Sequence, residues 1–121
     1  MAGNGGLPEL DPAAVLEAMA GHPQLQVFVG GGRIETLPAR PARRRLLLDV
    51  IAQAFEPGVR YPEPRVSQFL GAIYPDHAAL RRYLVDEEFL SRAGGEYWRS
   101  GGTVLPAPAP DPPAPPGGGG R

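Results

Sequence analysis

Residues 62–99 read PEPRVSQFLGAIYPDHAALRRYLVDEEFLSRAGGEYWR, and the fold turns on this stretch. Val66, Phe69, Leu70 and Ile73 recur at i, i+3, i+4 and i+7, the spacing of one helical face. They predict a helix from about Pro62 to Tyr74. Pro75 breaks the chain, and Asp76 is placed to cap a second helix whose core face is Leu80, Tyr83 and Leu84. Phe89–Arg92 and Glu96–Arg99 flank Ala93-Gly94-Gly95, a hairpin signal. A two-residue Gly94-Gly95 turn sets Arg92 opposite Tyr97 and Leu90 opposite Arg99.

Upstream of this stretch, Leu47, Val50, Ile51, Ala54 and Phe55 mark one face of a helix from about Pro41 to Phe55, closed by Glu56-Pro57-Gly58. Leu25–Val29 reads as a strand, Gly30–Gly32 as a turn, and Arg33–Leu37 as the return strand. The Gly run lacks the following helix and the Lys-Ser/Thr ending of a phosphate loop. A first helix is punctuated by Asp11 as cap, Pro12 at its first position and Gly21 as stop. Its apolar stripe is Val15, Leu16 and Met19, and at nine residues it must pack on something to persist.

Two helices joined by a short link and followed by a hairpin fit a helix-turn-helix with a wing. The expected fold class is therefore α+β and winged-helix-like. A three-helix core carries a C-terminal hairpin wing and is preceded by a short helix and an N-terminal hairpin. Residues 11–100 form this domain, and residues 1–10 are expected to be disordered. Residues 101–121, rich in Pro and Gly, read as a disordered, solvated tail whose extended form is also the one that proline-recognition domains bind. So small a core gives modest stability, and a homodimer would extend it, with the first helix as the candidate contact.

The whole chain has 121 residues, with 17 Gly, 16 Pro and no Cys. Disulfides, thiolate metal sites and Cys nucleophiles are excluded. No apolar run has the length of a membrane span, and the N-terminus lacks the charged and apolar regions of a signal peptide, so a cytoplasmic location is expected. All 12 basic residues are Arg, which points to a GC-rich bacterial genome. The net charge of −1 conceals an acidic segment before Arg33 and a mildly basic one after it.

Several strings together resemble the prokaryotic domain of unknown function 2087. They are Gly32-Arg33-Ile34-Glu35-Thr36-Leu37-Pro38, Phe55-Glu56-Pro57-Gly58-Val59-Arg60-Tyr61, Leu80-Arg81-Arg82-Tyr83-Leu84-Val85-Asp86, Leu90-Ser91-Arg92 and Tyr97-Trp98-Arg99. The resemblance covers about residues 27–100. That family occurs alone and behind helix-turn-helix domains of bacterial transcriptional regulators, so the resemblance implies a regulatory setting. After Tyr61 the family tends to read Glu-x-Glu-Val-Asn. Here Glu63 and Val66 match, while Arg65 and Ser67 replace the second Glu and the Asn.

Catalytic constellations are missing from the pattern, and an enzyme is not expected. His22 and His77 have no companion at metal-ligand spacing, so neither a metal nor a cofactor is expected. Ser67, Ser91 and Ser100 lie in no nucleophile elbow. The run Asp86-Glu87-Glu88 reads as a solvated helix end.

The arginines carry more information. Arg40, Arg43, Arg44 and Arg45 crowd the start of a helix, where the helix dipole disfavours cations. Either an anion binds there or they pair with acids such as Glu35 and Asp49. Arg81 is expected to point away from the core and Arg82 to lie near its border. On the second helix of a helix-turn-helix such residues reach guanine, while Arg92 and Arg99 of a wing reach backbone phosphate. Alternatively, Arg82 pairs with Asp86 along the helix. Tyr97 and Trp98 alternate across the last strand, one facing the core and one facing out.

The expected function is a bacterial transcriptional regulator, or an accessory domain of one, that binds double-stranded DNA. The residues expected to carry it are Arg43, Arg44, Arg45, Arg81, Arg82, Arg92 and Arg99. The alternative is a non-enzymatic interaction or dimerisation module of the same fold. In the first case the arginines form one exposed patch. In the second they are held by Asp49, Glu63, Asp86 and Glu87, and the exposed patch is apolar.

Overall fold

A computed structural model describes residues 7–102. The first six residues and residues 103–121 of the expected tail lie outside them; within them Leu10 packs against the core. Among the described residues four helices and two small antiparallel sheets make an α+β fold. Helix α1 spans Pro12–Ala20, and the Asp11 carboxylate accepts from the backbone N–H of Ala13 (3.0 Å) and Ala14 (3.3 Å). Gly21 ends it. Val15 and Met19 are buried against α2 (Pro41–Ala52) and α3 (Glu63–Ile73). The apolar stripe of α1 therefore serves the chain's own core, leaving Ala13, Ala14, Glu17 and Ala18 outward.

The strand expected over Leu25–Val29 is largely replaced by a 3-10 turn at Gln26–Phe28. The His22 carbonyl accepts from Leu25 (2.9 Å) and Gln26 (3.0 Å), local bonds that curl the segment, and pairing with the return strand begins only at Phe28, whose carbonyl accepts from Glu35 N–H (2.8 Å). Strand β1 is only Val29–Gly30, paired with β2 (Arg33–Ile34). The return strand stops short of Leu37 as well.

Helix α2 ends at Ala52, three residues before the expected Phe55. Its buried face is Leu47, Leu48, Ile51 and Ala52, with Phe55 buried just beyond it, whereas Val50 and Ala54 are only partly covered. The expected stripe was displaced because α2 meets α1 on one flank and α4 (His77–Asp86) on the other. Asp76 caps α4 by accepting from Ala79 N–H at 3.1 Å. On α4, Leu80 and Leu84 are buried and Tyr83 is partly so.

Strands β4 (Leu90–Ala93) and β5 (Glu96–Arg99) pair in the expected register, Leu90 with Arg99 and Arg92 with Tyr97. At the tip Gly94 and Gly95 take φ of 59° and 79°, the mirror-image turn that matches strand twist and suits residues without a Cβ. A third strand, β3 (Tyr61–Pro62), was not legible as one. It joins the open edge of β5, with Tyr61 opposite Tyr97, giving the order β3-β5-β4. Pro62 donates no N–H, which confines β3 to an edge.

Tyr61, Phe55 and Phe69 centre the core. The Phe55 ring meets Tyr61 edge-on at 5.2 Å and Phe69 at 5.6 Å. The Tyr61 hydroxyl accepts from Glu56 N–H at 3.0 Å and so fixes the turn after α2. Phe89 joins α4 to the hairpin. Its N–H donates to the Leu84 carbonyl (2.9 Å), and its own carbonyl accepts from Ser100 (2.9 Å) and Gly101 (3.1 Å).

Candidate functional site

The seven candidate arginines fall into two groups. Four are held in the fold, Arg44, Arg45, Arg99 and Arg81. Arg44 donates to the carbonyls of Pro38 (3.4 Å) and Ala39 (3.3 Å), and its guanidinium lies 4.8 Å from the Tyr83 ring centre. Arg45 pairs with Glu87 and covers the Phe89 ring at 4.9 Å. Two of the four arginines that crowd the start of α2 thus clamp it onto α4 and the residues after it. Arg99 donates to the carbonyls of Gly101 (3.1 Å) and Phe55 (3.4 Å). Arg43 is exposed, and no hydrogen bond or ion pair engages it among the described residues.

Arg81 and Arg82 exchange the positions expected of them. Arg81 is the sheltered one, its side chain 21% exposed. It bonds the Ser67 hydroxyl at 2.6 Å and lies 3.7 Å from Glu63. The reason is that α4 packs on α3, and Arg81 lies on the flank turned to the start of that helix. Ser67 is one of the two positions that depart from the family pattern, and here it receives Arg81. Arg82 is exposed, and among the described residues no ion pair joins it to Asp86.

Arg82 and Arg92 come together. A cleft of about 240 Å³ opens between α4 and the hairpin, lined by Arg81, Arg82, Asp86, Arg92 and Tyr97 with two small apolar neighbours. The Arg92 guanidinium stands 5.7 Å from the Tyr97 ring centre. Tyr97 is fully buried, and among the described residues its hydroxyl has no hydrogen-bond partner. The sequence placed Tyr97 and Trp98 on opposite faces. It gave no sign that the Tyr97 hydroxyl would be left unbonded, because that depends on which side chains surround it. Trp98 is partly exposed, stacked under Arg60 at 4.0 Å, and Arg60 also pairs with Glu96 at 3.7 Å.

A larger groove of about 470 Å³ runs between the segment before α1 and α3, lined by Glu9, Leu10, Arg65, Gln68 and Phe69 among others. His22 accepts from Gln24 N–H through Nδ1 (3.3 Å), and the Ser100 hydroxyl donates to the Glu88 carbonyl (3.2 Å). Among the described residues no three His, Asp or Glu side chains gather closely enough to hold a metal ion.

A family model described as an uncharacterized protein conserved in bacteria, DUF2087, matches residues 33–99, more than half of the chain. The chain belongs to this family. The DUF2087 span runs from β2 to the end of β5 and contains the whole cleft. Helix α1 lies outside it, although Val15 and Met19 are part of the core. No curated protein and no solved structure matches the chain. No helix of the described residues is long and apolar enough to cross a membrane.

Proposed function

We propose that this DUF2087 chain is a DNA-binding domain of winged-helix type that acts in bacterial transcriptional control. The observation that carries the reading is the convergence of Arg82 from α4 and Arg92 from the hairpin on one exposed cleft. The element order supports it. Helix α2, strand β3, helices α3 and α4, then strands β4 and β5 follow the plan of a helix-turn-helix with a wing. In that plan α4 lies along the major groove, and Arg82 and Arg92 reach the backbone phosphates at its edge. Arg44, Arg45 and Arg99 support the scaffold and are not part of this interface.

An interaction module of the same fold would show an apolar surface. Among the described residues Val27, 73% exposed, is the single large hydrophobic side chain left open, and one residue makes no docking face. The surface therefore favours the DNA reading over that alternative.

The test is fluorescence anisotropy with labelled random duplex DNA, from low to physiological salt. Binding should weaken steeply with salt, because each neutralised phosphate releases counterions. Arg82→Ala and Arg92→Ala should each weaken binding and flatten the logarithmic salt slope by about 1. Arg33→Ala, in the first hairpin, should change neither. Absence of binding at low salt, or salt slopes untouched by both cleft variants, would overturn the proposal.

A further inference from the structure

Tyr97, which lines the cleft between α4 and the hairpin, carries a buried hydroxyl that the hydrogen bonding of the described residues does not use. Tyr61 and Tyr97 face each other across β3 and β5, and both are fully buried. The Tyr61 hydroxyl bonds the backbone of Glu56. The Tyr97 hydroxyl bonds nothing among the described residues, and a buried polar atom without a partner is destabilising. Phenylalanine would fill the same space without that cost. Around Tyr97 stand Arg81, Arg82 and Arg92, with Asp86 as the one acid lining the cleft. Arg81 engages Ser67 and Glu63 through Nη1, and among the described residues no hydrogen bond takes its Nε or Nη2. Arg82 and Arg92 make no ion pair among the described residues. The cleft is thus rich in N–H and O–H donors and poor in acceptors.

We infer that this cleft seats a phosphate group, with guanidinium N–H groups of Arg82 and Arg92 and the Tyr97 hydroxyl donating to its oxygens. A tetrahedral oxyanion accepts several charge-assisted hydrogen bonds at once, which suits a planar guanidinium fork beside a hydroxyl. It also supplies the acceptor that Tyr97 lacks. The inference rests on the DNA reading only for the source of the phosphate: a duplex backbone presents one, and so does a free or small-molecule phosphate.

The experiment titrates the full chain with inorganic phosphate at constant ionic strength, read by amide NMR shifts, and repeats it with Tyr97→Phe and Arg92→Ala. Saturable shifts should concentrate at residues 81–86, 92 and 97. Tyr97→Phe should melt at the same temperature or higher, since it removes an unbonded hydroxyl, yet bind phosphate at least threefold more weakly. Arg92→Ala should weaken it likewise. The inference is overturned if no saturable shift appears at these positions, if Tyr97→Phe keeps wild-type affinity, or if that variant melts lower, which would show that the hydroxyl has a structural partner. Duplex DNA is then added to the same variants. Loss of both phosphate and DNA affinity in Tyr97→Phe assigns the cleft to a backbone phosphate. Loss of phosphate affinity alone assigns it to a free phosphate group, and the inference stands without the DNA reading. DNA binding without any phosphate response at the cleft leaves the DNA reading intact and removes this inference.

Discussion

Glu88 takes a φ of 66°, the left-handed region that L side chains rarely occupy. It sits one residue past the cap of α4, and its N–H donates to the Val85 carbonyl while Phe89 N–H reaches back to Leu84. This pair of bonds is a Schellman ending, in which glycine is usual because it has no Cβ to clash. Glu88→Gly is therefore expected to stabilise the chain by roughly 0.5–1 kcal/mol, measured by urea unfolding. The gain is the relieved strain less the extra freedom glycine brings to the unfolded chain. Gly101 presents the opposite case. A Cβ there would lie under 3.0 Å from the Glu88 carbonyl oxygen, so Gly101→Ala should lower the urea midpoint. That close approach follows from Ser100 and Gly101 both bonding the Phe89 carbonyl. None of this is visible in the string Asp86-Glu87-Glu88, which reads simply as acidic.

Helices were easier to read than strands. Asp11, Pro12 and Gly21 bracket α1, and Pro75 with Asp76 separates α3 from α4, because caps and breakers act through bonds within a few residues. The last hairpin was legible to its register for the same reason. Strand β3 was not, since a two-residue strand ending in proline owes its existence to β5, far along the chain. The exchange of Arg81 and Arg82 has a related cause. The apolar stripe of α4 tells which face is inward but not which flank its neighbour α3 takes. Helix α1 yields a prediction at this scale. Asp11→Ala should cost about 1 kcal/mol in urea unfolding. Because Val15 and Met19 are core residues, the loss should appear in the stability of the whole chain and not as local fraying.

The molecule as a whole is one contact network in which segments distant in sequence depend on each other. The core cluster draws residues from α1, all three later helices and the three-stranded sheet. Far-UV circular dichroism and the fluorescence of Trp98, on the central strand of that sheet, should therefore report the same thermal midpoint. A fluorescence transition well below the helical one would show that the sheet separates before the helices melt.

The hairpin is anchored twice at its base and, at its tip, by a single bond, the Gly95 carbonyl accepting from Glu63 N–H at 2.9 Å. At its base, Phe89 binds the end of α4 with its N–H and the returning strand with its carbonyl, so one added residue there breaks both connections. At its tip, a side chain on Gly94 or Gly95 would meet nothing within 4 Å. For protein engineering, the tip is accordingly the place for grafted sequence. A longer loop inserted between Ala93 and Gly95 would extend the reach of the arginine-bearing arm, and new recognition elements could be installed there without re-registering β4 against β5 and with Gly95 still bound to Glu63 N–H.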